Sequence, residues 1–374
     1  MIYLDHNATT PIRPEVRAAM LPCLQGLFGN PSSLHTPGRR ARQAVDSGRA
    51  AVAALLHMPP ESIHFTSGGT EAGNWALRCR RRVVTSAVEH AAVIAAAEAL
   101  RDAGNEVVTV AVDGEGRIDP EAVLVAVDAG HTDLVSLILA NNETGTLQPL
   151  AEIGPQLRAR GVLFHIDAVQ AVGKIPVDLE ALGADLLSMS AHKINGPKGI
   201  GALYVRPGTE LKPWSLGGGH EYGLRAGTEN VAGIVGFGAA ADLRRNEMAT
   251  DATIVGELRD RLQRGITEAI ADVVVHGSQV ERLPGTLNVS FRGVEAESIL
   301  LGLDLEGIAV SSGSACTAGA PEPSHVLLAM GCEPRLAAGA VRFSLGYGND
   351  VAEMDRVVEI LVPVVERLRA LSMY

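Results

Sequence analysis

The stretch SMSAHKINGPKG, residues 188–199, places three chemically active side chains at the end of an apolar run. The run is typical of a buried strand, and GALYV (201–205) is typical of the next one. Between the two strands lie Ser190, His192 and Lys193, followed by a glycine-rich turn. Because open α/β sheets bind ligands at the carboxyl ends of their strands, this stretch predicts a ligand site that contains a lysine amine.

Strand-like and helix-like segments alternate outward from this stretch through the first two thirds of the chain. Strands are predicted at residues 62–66, 82–86, 106–112, 133–140, 162–167, 185–190 and 201–205. Alanine-rich helical segments separate most of them, at 70–80, 90–103 and 150–160. The alternation predicts an α/β fold with a mainly parallel, seven-stranded sheet flanked by helices.

The pattern changes after about residue 250, where strands become fewer and the gaps between them longer. The predicted elements are helices at 250–271, 295–304 and from about 351, and strands at 286–292, 307–312 and 340–346. We therefore predict a large domain over residues 15–250 and a smaller α+β domain over 251–374. The smaller domain is expected to include residues 1–14, because the opening strand IYLD precedes the first helices of the large one.

Composition limits the class of protein. The 374 residues carry a formal net charge of −11, which argues against nucleic acid or an anionic membrane surface as a partner. No run approaches the roughly 18 apolar residues of a membrane-spanning helix. The start, MIYLDHNATT, lacks the features of a signal peptide, so we expect a cytoplasmic protein. No two cysteines have the spacing of a zinc or redox site, and no resident metal is predicted.

Three further strand ends supply polar residues, and each has a second interpretation. SGGT (67–70) opens a helix and suits a phosphate, but it equally suits a helix capped by Thr70. Asp167 and Gln170 follow another strand, where the carboxylate could pair with a protonated ring nitrogen, bind a metal or cap a helix. NNE (141–143) is either a group of site residues or a plain turn.

Taken together, a strand-end lysine, a strand-end aspartate and a glycine turn indicate pyridoxal 5′-phosphate. The Lys193 amine would form a Schiff base, Asp167 would keep the pyridine nitrogen protonated, and the turn would bind the phosphate. The chain has 4 lysines among 32 basic residues, and arginine cannot replace an amine nucleophile.

Nearly the whole chain resembles the class I, NifS/IscS-like cysteine desulfurases, of the class V aminotransferase family and pyridoxal-phosphate fold type I. The motifs that carry the resemblance follow the order of that family: IYLDHNATTP near the start, GNPSSLH (29–35), TSGGTE (66–71), EH (89–90), NNETG (141–145), DAVQ (167–170), SAHKINGPKG (190–199), GGGHEYGLRAGTENVAGIVGF (217–237), SSGSACT (311–317) and VRFSLG (341–346). Several are long, so the resemblance is specific. It implies the large and small domains of that fold type.

The resemblance implies a role for each candidate cofactor residue. Lys193 would bind the cofactor and move protons at the substrate carbons, Asp167 would pair with the ring nitrogen, and His90 would stack on the ring as a catalytic residue. Gln170 would contact the phenolic oxygen, and Asn142 would also contact the cofactor. The implied phosphate contacts are Gly69, Thr70, Ser190, His192 and, from the neighbouring subunit of a homodimer, Thr228.

Two residues are candidates for binding the substrate carboxylate. In AVRFSLG (340–346) the apolar residues alternate onto one face and leave Arg342 on the other, where it could bind a carboxylate bidentately or face solvent. Asn30 is a second carboxylate contact by resemblance.

Cys316 lies in SSGSACTAGA (311–320), among small residues and without a basic neighbour. The resemblance makes it the persulfide carrier, which transiently ligates an iron–sulfur cluster on a scaffold, and we expect its loop to be mobile. Cys79 is the competing thiol, since LRCRRR surrounds it with arginines, but we expect it at a helix C-terminus, where the dipole disfavours a thiolate. Cys23 and Cys332 are expected to be structural.

The implied activity is removal of sulfur from L-cysteine, giving L-alanine and a Cys316 persulfide for iron–sulfur cluster assembly or tRNA thiolation. The partners implied are a homodimer copy and a sulfur acceptor, either an iron–sulfur scaffold or a tRNA-thiolation enzyme. Two alternatives stay open: a class V aminotransferase or selenocysteine lyase that does not need Cys316, and a cofactor-binding or sulfur-chaperone protein without turnover.

Overall fold

The computed structural model describes residues 1–128, 131–312 and 323–372. The predicted seven-stranded sheet is present, in the order β2-β8-β7-β6-β5-β3-β4. Its strands are β2 (Ile63–Thr66), β3 (Arg82–Ser86), β4 (Glu106–Val110), β5 (Leu134–Ile138), β6 (Leu163–Asp167), β7 (Leu186–Ser190) and β8 (Gly201–Val205). Strand β8 is antiparallel to both of its neighbours, and the other pairings in this sheet are parallel, so the prediction of a mainly parallel sheet is confirmed.

Helices cover both faces of this sheet. The helices before and between its strands are α1 (Pro14–Gln25), α2 (Thr36–Leu55), α3 (Gly69–Leu77), α4 (Ala91–Asp102), α5 (Pro120–Ala126) and α6 (Leu150–Ala159). Successive residues of β5 pack into apolar clusters on opposite faces of the sheet. Val135 packs on one face, and Leu134 packs with α3 and α4 on the other. Every residue of β5, β7 and β8 is buried, as expected of strands covered on two sides.

A second, smaller group of strands lies beside the large sheet. Strand β1 (Ile2–Tyr3) pairs in parallel with β11 (Ile308–Ala309), and an antiparallel sheet has the order β12-β10-β9. Its strands are β9 (Val273–His276), β10 (Thr286–Phe291) and β12 (Ala340–Ser344), and the accompanying helices are α8 (Ala296–Leu305), α9 (His325–Ala329), α10 (Pro334–Ala338) and α11 (Val351–Ser372). The strand predicted at 307–312 is shorter than expected, because it extends only as far as its two-residue partner β1.

One long helix, α7 (Val231–Ala269), joins the two apolar cores. Phe237 packs in the core of the large sheet and Leu262 in the core of the small sheet. The predicted start at residue 250 is wrong, because the polar stretch 244–251 hides the continuity of the helix without breaking it. The domain boundaries at residues 15 and 250 stay a prediction. Among the described helices, none is long and apolar enough to cross a membrane.

Candidate active site

A cavity of about 200 Å³ opens at the carboxyl ends of the central strands. Nine of the predicted cofactor residues line it: Gly69, Thr70, His90, Asn142, Asp167, Gln170, Ser190, His192 and Lys193. Sheet topology brings them together, because Asp167 ends β6 and Ser190 ends β7, and these two strands are parallel neighbours. His90 joins them as the N-cap of α4, where its Nδ1 accepts a hydrogen bond from the Ala92 N–H at 3.1 Å.

The start of α3 has the properties of a phosphate site. A Cβ on Gly69 would lie 2.5 Å from Cγ2 of Val169, so the close approach of these segments requires glycine. Ser190 Oγ is buried and has no hydrogen-bond partner among the described residues. The N-cap of α3 is Gly68, which provides no side-chain hydrogen bond, and Thr70 lies inside the helix. The alternative interpretation of Thr70 as the cap is therefore wrong. The first residues of the helix, Gly69 and Thr70, line the cavity, and a helix start has N–H groups that suit a phosphate.

Asp167 fits a protonated ring nitrogen. Its carboxylate is buried, and Oδ1 accepts a hydrogen bond from the Val169 N–H at 3.0 Å within a turn. No helix lies between β6 and β7, whose connecting residues are all described, so the alternative of a helix-capping aspartate is wrong. Burial raises the pKa of Asp167, while His90 and Lys193 lower it. Nearby positive charge stabilises the ionised form of a buried carboxylate. A protonated ring nitrogen bound beside Asp167 would therefore stabilise its carboxylate.

The Lys193 amine is held by neutral groups. Its Nζ donates hydrogen bonds to the backbone carbonyls of Asn7, at 2.5 Å, and Ala8, at 2.8 Å. Burial, and then the nearby charge of Arg342, lowers the pKa of Lys193 to about 8, against the weaker opposing effects of Asp5 and Asp167. A sizeable fraction of this lysine is therefore neutral near pH 7.5, as a nucleophilic amine needs.

The histidines at the cavity are also poor cations. Burial is the largest cause that lowers the pKa of His90, and Asp167 opposes it. Burial and the charges of neighbouring lysines lower the pKa of His192 to about 4, and its Nδ1 lies 3.1 Å from the Thr9 hydroxyl oxygen. Burial thus disfavours the charged form of both rings, so His90 can stack or exchange a proton without adding a fixed positive charge.

Arg342 lies beside the cavity residues and does not face solvent. All five residues of β12 are buried, so the alternative of a solvent-facing arginine is wrong. Its Nη2 donates to Oδ1 of Asp5 at 2.8 Å, and its Nη1 donates to the backbone carbonyl of Asn142 at 3.0 Å. The guanidinium thus contacts the same residue, Asn142, that lines the cavity.

Two of the described candidate residues are not brought to this cavity. Asn30 is exposed, and its Oδ1 accepts a hydrogen bond from the Ser32 N–H at 2.9 Å. Thr228 lines a separate cavity with Ser67 and Arg225. Cys316 lies outside the described residues, and so does the loop whose mobility was predicted.

The other three cysteines do not line the cavity. Cys79 is exposed and follows Arg78, the C-cap of α3, which matches its predicted place at a helix C-terminus. Cys23 and Cys332 are partly buried, and burial raises the pKa of both thiols. Within the described parts of the chain, no group of three His, Cys, Asp or Glu residues could hold a metal ion.

Four residues at the site have no role predicted from the sequence. Asn7 accepts hydrogen bonds from Lys193 and Gln170 on its backbone oxygen, and Asp5 pairs with Arg342. Lys174 contacts Gln170, and Glu89 is a fully buried carboxyl next to His90. Burial is the main cause that raises the pKa of Glu89 to about 8. The available signal was the polar composition of DHNATT (5–10), which is unusual directly after a strand.

Known proteins resemble the chain along its whole length. The family model described as aminotransferase class-V matches residues 2–357. A cysteine desulfurase of Cereibacter sphaeroides is 49% identical, covering 99% of this chain and 97% of its own length, and one of Trichormus azollae is 47% identical, covering 100% and 94%. A cysteine desulfurase IscS of Dictyoglomus turgidum is 45% identical, covering 100% of this chain and 96% of its own.

Solved structures agree with these relatives. A NifS-like protein superposes with a TM-score of 0.91 at 36% identity, covering 98% of this chain and 100% of that one. A second, SspA in complex with cysteine, has a TM-score of 0.83 at 32% identity, covering 92% of this chain and 99% of its own. The fold, the strand-end lysine and these full-length similarities agree, and the chain belongs to the cysteine desulfurases of the class V aminotransferase family.

Proposed function

We propose that this protein is a cysteine desulfurase that uses pyridoxal 5′-phosphate to convert L-cysteine to L-alanine with a persulfide on Cys316. The observation that carries the proposal is the Lys193 amine, which lies in a strand-end cavity with Asp167 and has a pKa lowered to about 8. The desulfurase relatives and the neighbour solved with cysteine support the substrate.

The residues at the cavity suit the parts of the cofactor. Lys193 would bind the aldehyde carbon, Asp167 the ring nitrogen, and Gln170 the phenolic oxygen. His90 would stack on the ring, with Asn142 beside it. The phosphate would be held by Gly69, Thr70, Ser190 and His192. When bound, the cofactor supplies an electron sink for the carbanion that forms at the substrate Cα.

Thr228 supports a homodimer in this proposal. It lies away from the cavity of its own chain, in a cavity lined also by Ser67 and Arg225. A second copy of the chain would bring this Thr228 to the phosphate, so two chains would share each active site. Asn30, exposed in one chain, would become a substrate contact in the same assembly.

The protein's own groups would place the protons and the substrate. Lys193 would remove the proton from Cα of L-cysteine and return one to the carbon that loses sulfur. Arg342 binds the substrate carboxylate, and its Nη1 keeps the hydrogen bond to the backbone carbonyl of Asn142. His90, whose pKa burial lowers, would take the thiol proton of Cys316.

Sulfur transfer balances without a further reactant. The Cys316 thiolate attacks the substrate sulfur, an S–S bond forms, and the C–S bond breaks. The electron pair of that bond returns to the carbon skeleton, which takes up a proton and leaves as L-alanine. The net reaction is L-cysteine plus the Cys316 thiol giving L-alanine plus the Cys316 persulfide. The persulfide then passes to an acceptor in the cytoplasm, either an iron–sulfur scaffold or a tRNA-thiolation enzyme.

Mass spectrometry tests this function directly. The purified protein is reduced with borohydride to fix any lysine-bound cofactor, and a second sample is exposed briefly to L-cysteine. We expect the cofactor mass on the Lys193 peptide, one added sulfur on the Cys316 peptide, and alanine in solution. The Cys316→Ser variant should lose both added sulfur and alanine.

The other outcomes separate the alternatives. Alanine that persists in Cys316→Ser would indicate a lyase. A cofactor-loaded protein that forms no alanine would indicate an aminotransferase or a binding protein. Absence of cofactor from Lys193 would overturn the proposal as a whole.

A further inference from the structure

Lys174 is a second lysine at the site, on the segment after β6, and the reaction described above does not use it. Its Nζ donates hydrogen bonds to Oε1 of Gln170 at 2.7 Å and to Oδ1 of Asn7 at 2.9 Å. Both acceptor residues are buried, at 4% and 3% exposure, and within the described parts of the chain Lys174 is the donor that each of these amide oxygens receives. An amine placed between two buried amide oxygens fixes which end of each amide is the donor.

The Gln170 amide is consequently oriented. With Oε1 on Lys174, its Nε2 faces the opposite way and donates to the backbone carbonyl of Asn7 at 2.9 Å. An amide nitrogen has two hydrogens, and Gln170 lines the cofactor cavity, so one N–H remains for an acceptor bound there. If the Gln170 amide were reversed, its N–H would face the Lys174 amine, which is also a donor. Its oxygen would face the Asn7 carbonyl, which is also an acceptor, so both hydrogen bonds would be lost.

Asn7 extends the contact to Lys193 and to the small sheet. The Asn7 carbonyl that accepts from Gln170 also accepts from Lys193 Nζ at 2.5 Å. The Asn7 side chain donates to Oγ1 of Thr286 at 2.9 Å, and its backbone N–H donates to Oγ of Ser344 at 2.9 Å. Lys174 is therefore one member of a partly buried network of hydrogen bonds, and hydrogen bonds in such a network strengthen one another.

We propose that Lys174 is a positioning residue that acts through Gln170: by binding the amide oxygen it orients and strengthens the N–H that Gln170 gives to the phenolic oxygen of the cofactor. The proposal rests on the proposed function, because it assumes that the cofactor binds in this cavity. Lys174 itself does not touch the cofactor in this arrangement.

The lowered pKa of Lys174 is compatible with its proposed positioning role. Burial, with Lys193 and Arg342 adding to it, lowers the pKa of Lys174 to about 7, and both the neutral and the charged amine can donate the two hydrogen bonds. Lys174 also lines a second cavity, whose other titratable side chains among the described residues are His6, Lys193, Arg244, Asp251 and Tyr347. His192 is close enough for the charge of Lys174 to lower its pKa.

The test is the pH midpoint of the absorbance change of the cofactor-loaded protein. This change reports protonation of the nitrogen through which Lys193 holds the cofactor. A weaker hydrogen bond to the phenolic oxygen makes that oxygen more basic, so the nearby nitrogen keeps its proton to higher pH. We expect Lys174→Met to raise the midpoint by about one pH unit. Lys174→Gln, which keeps a donor, should raise it less, and Lys212→Met, at an exposed lysine, should leave it unchanged.

A double-mutant cycle separates the hydrogen-bond relay from a general effect of charge. In the Gln170→Met background, Lys174→Met should shift the midpoint by less than half of its effect in the wild-type background. An equal shift in both backgrounds would overturn the proposal, and so would no shift in either. If Lys174→Met does not retain the cofactor, the cycle is measured with Lys174→Gln and decided by the same comparison. A wild-type protein without a lysine-bound chromophore would instead contradict the proposed function.

Discussion

Lys193 and Arg342 are two basic residues at one site, but they come from different sheets and have different partners. Lys193 follows β7 of the large sheet and donates to backbone carbonyls. Arg342 lies in β12 of the small sheet, and a carboxylate, Asp5, already occupies one of its nitrogens. Burial and the charge of Arg342 keep the pKa of Lys193 near 8, well below that of an ordinary lysine.

The difference matches two chemical tasks. An amine that reacts must lose its proton readily, so neutral partners and a nearby cation serve it. A group that binds an anionic substrate must stay charged. The Arg342 guanidinium already pairs with the Asp5 carboxylate, so it is oriented to bind a carboxylate. The large-sheet groups should therefore determine kcat, and the small-sheet arginine should determine KM for L-cysteine.

The largest effect should come from Lys193→Ala. Without this amine, no group at the same place moves the protons at the substrate carbons, and we expect kcat for alanine formation to fall by about 10³- to 10⁴-fold. Single-turnover alanine formation at saturating L-cysteine measures it. Lys212→Ala, at an exposed lysine that does not line the cavity, should retain the wild-type kcat. Equal losses in the two variants would break the comparison.

Asp167→Asn should have the next largest effect. An amide cannot hold a proton on the ring nitrogen as a buried carboxylate does, so we expect kcat to fall by about 10²- to 10³-fold with little change in KM. The exposed Asp178→Asn is the matched control. A change confined to KM would move Asp167 from the chemistry to substrate binding.

The large-sheet side of this comparison was accessible from the sequence. Parallel strands carry their ends to one edge, so residues that follow apolar runs, such as Asp167, Ser190 and Lys193, meet without any knowledge of long-range contacts. The strands of the large sheet were located to within a few residues for the same reason, since burial on two faces leaves continuous apolar runs.

The small-sheet side was less accessible. The alternation around Arg342 left open whether it faced solvent, because periodicity describes one strand and not what packs against it. Its pairing with Asp5 joins residues 337 positions apart, and the roles of Asn7 and Lys174 depend on contacts of the same kind. The continuity of α7 was missed because its polar middle carries no apolar periodicity.

Arg342→Lys tests the small-sheet side and should have a smaller effect. An ammonium keeps the charge but not the two-pronged geometry, so one charge-assisted hydrogen bond to the substrate carboxylate is lost. We expect KM for L-cysteine to rise by about 10- to 100-fold, with kcat nearly unchanged. Steady-state kinetics measures the split, and the exposed Arg261→Lys is the control. A fall in kcat at constant KM would reverse the roles of the two regions.

The smallest expected effect concerns the pKa of Lys193, which lies in the large-sheet region but is lowered by Arg342 of the small sheet. The neutral amine is the form that binds the cofactor aldehyde, and a lysine with a pKa near 8 loses about tenfold of that form per pH unit below it. The rate at which the cofactor-free protein captures pyridoxal 5′-phosphate should therefore rise with pH and level off above about 8. Stopped-flow absorbance at low cofactor concentration follows it directly.

Arg342→Met should move this profile to higher pH. The variant removes the cation that helps to lower the pKa of Lys193 and leaves Asp5, which raises it, without its main partner. Both changes have the same sign, so at pH 7 capture should become slower although residue 342 does not bind the aldehyde. Arg261→Met, in the exposed pair with Asp355, should leave the profile unchanged. If Arg342→Met leaves it unchanged as well, burial alone sets the reactivity of Lys193, and the two regions act independently.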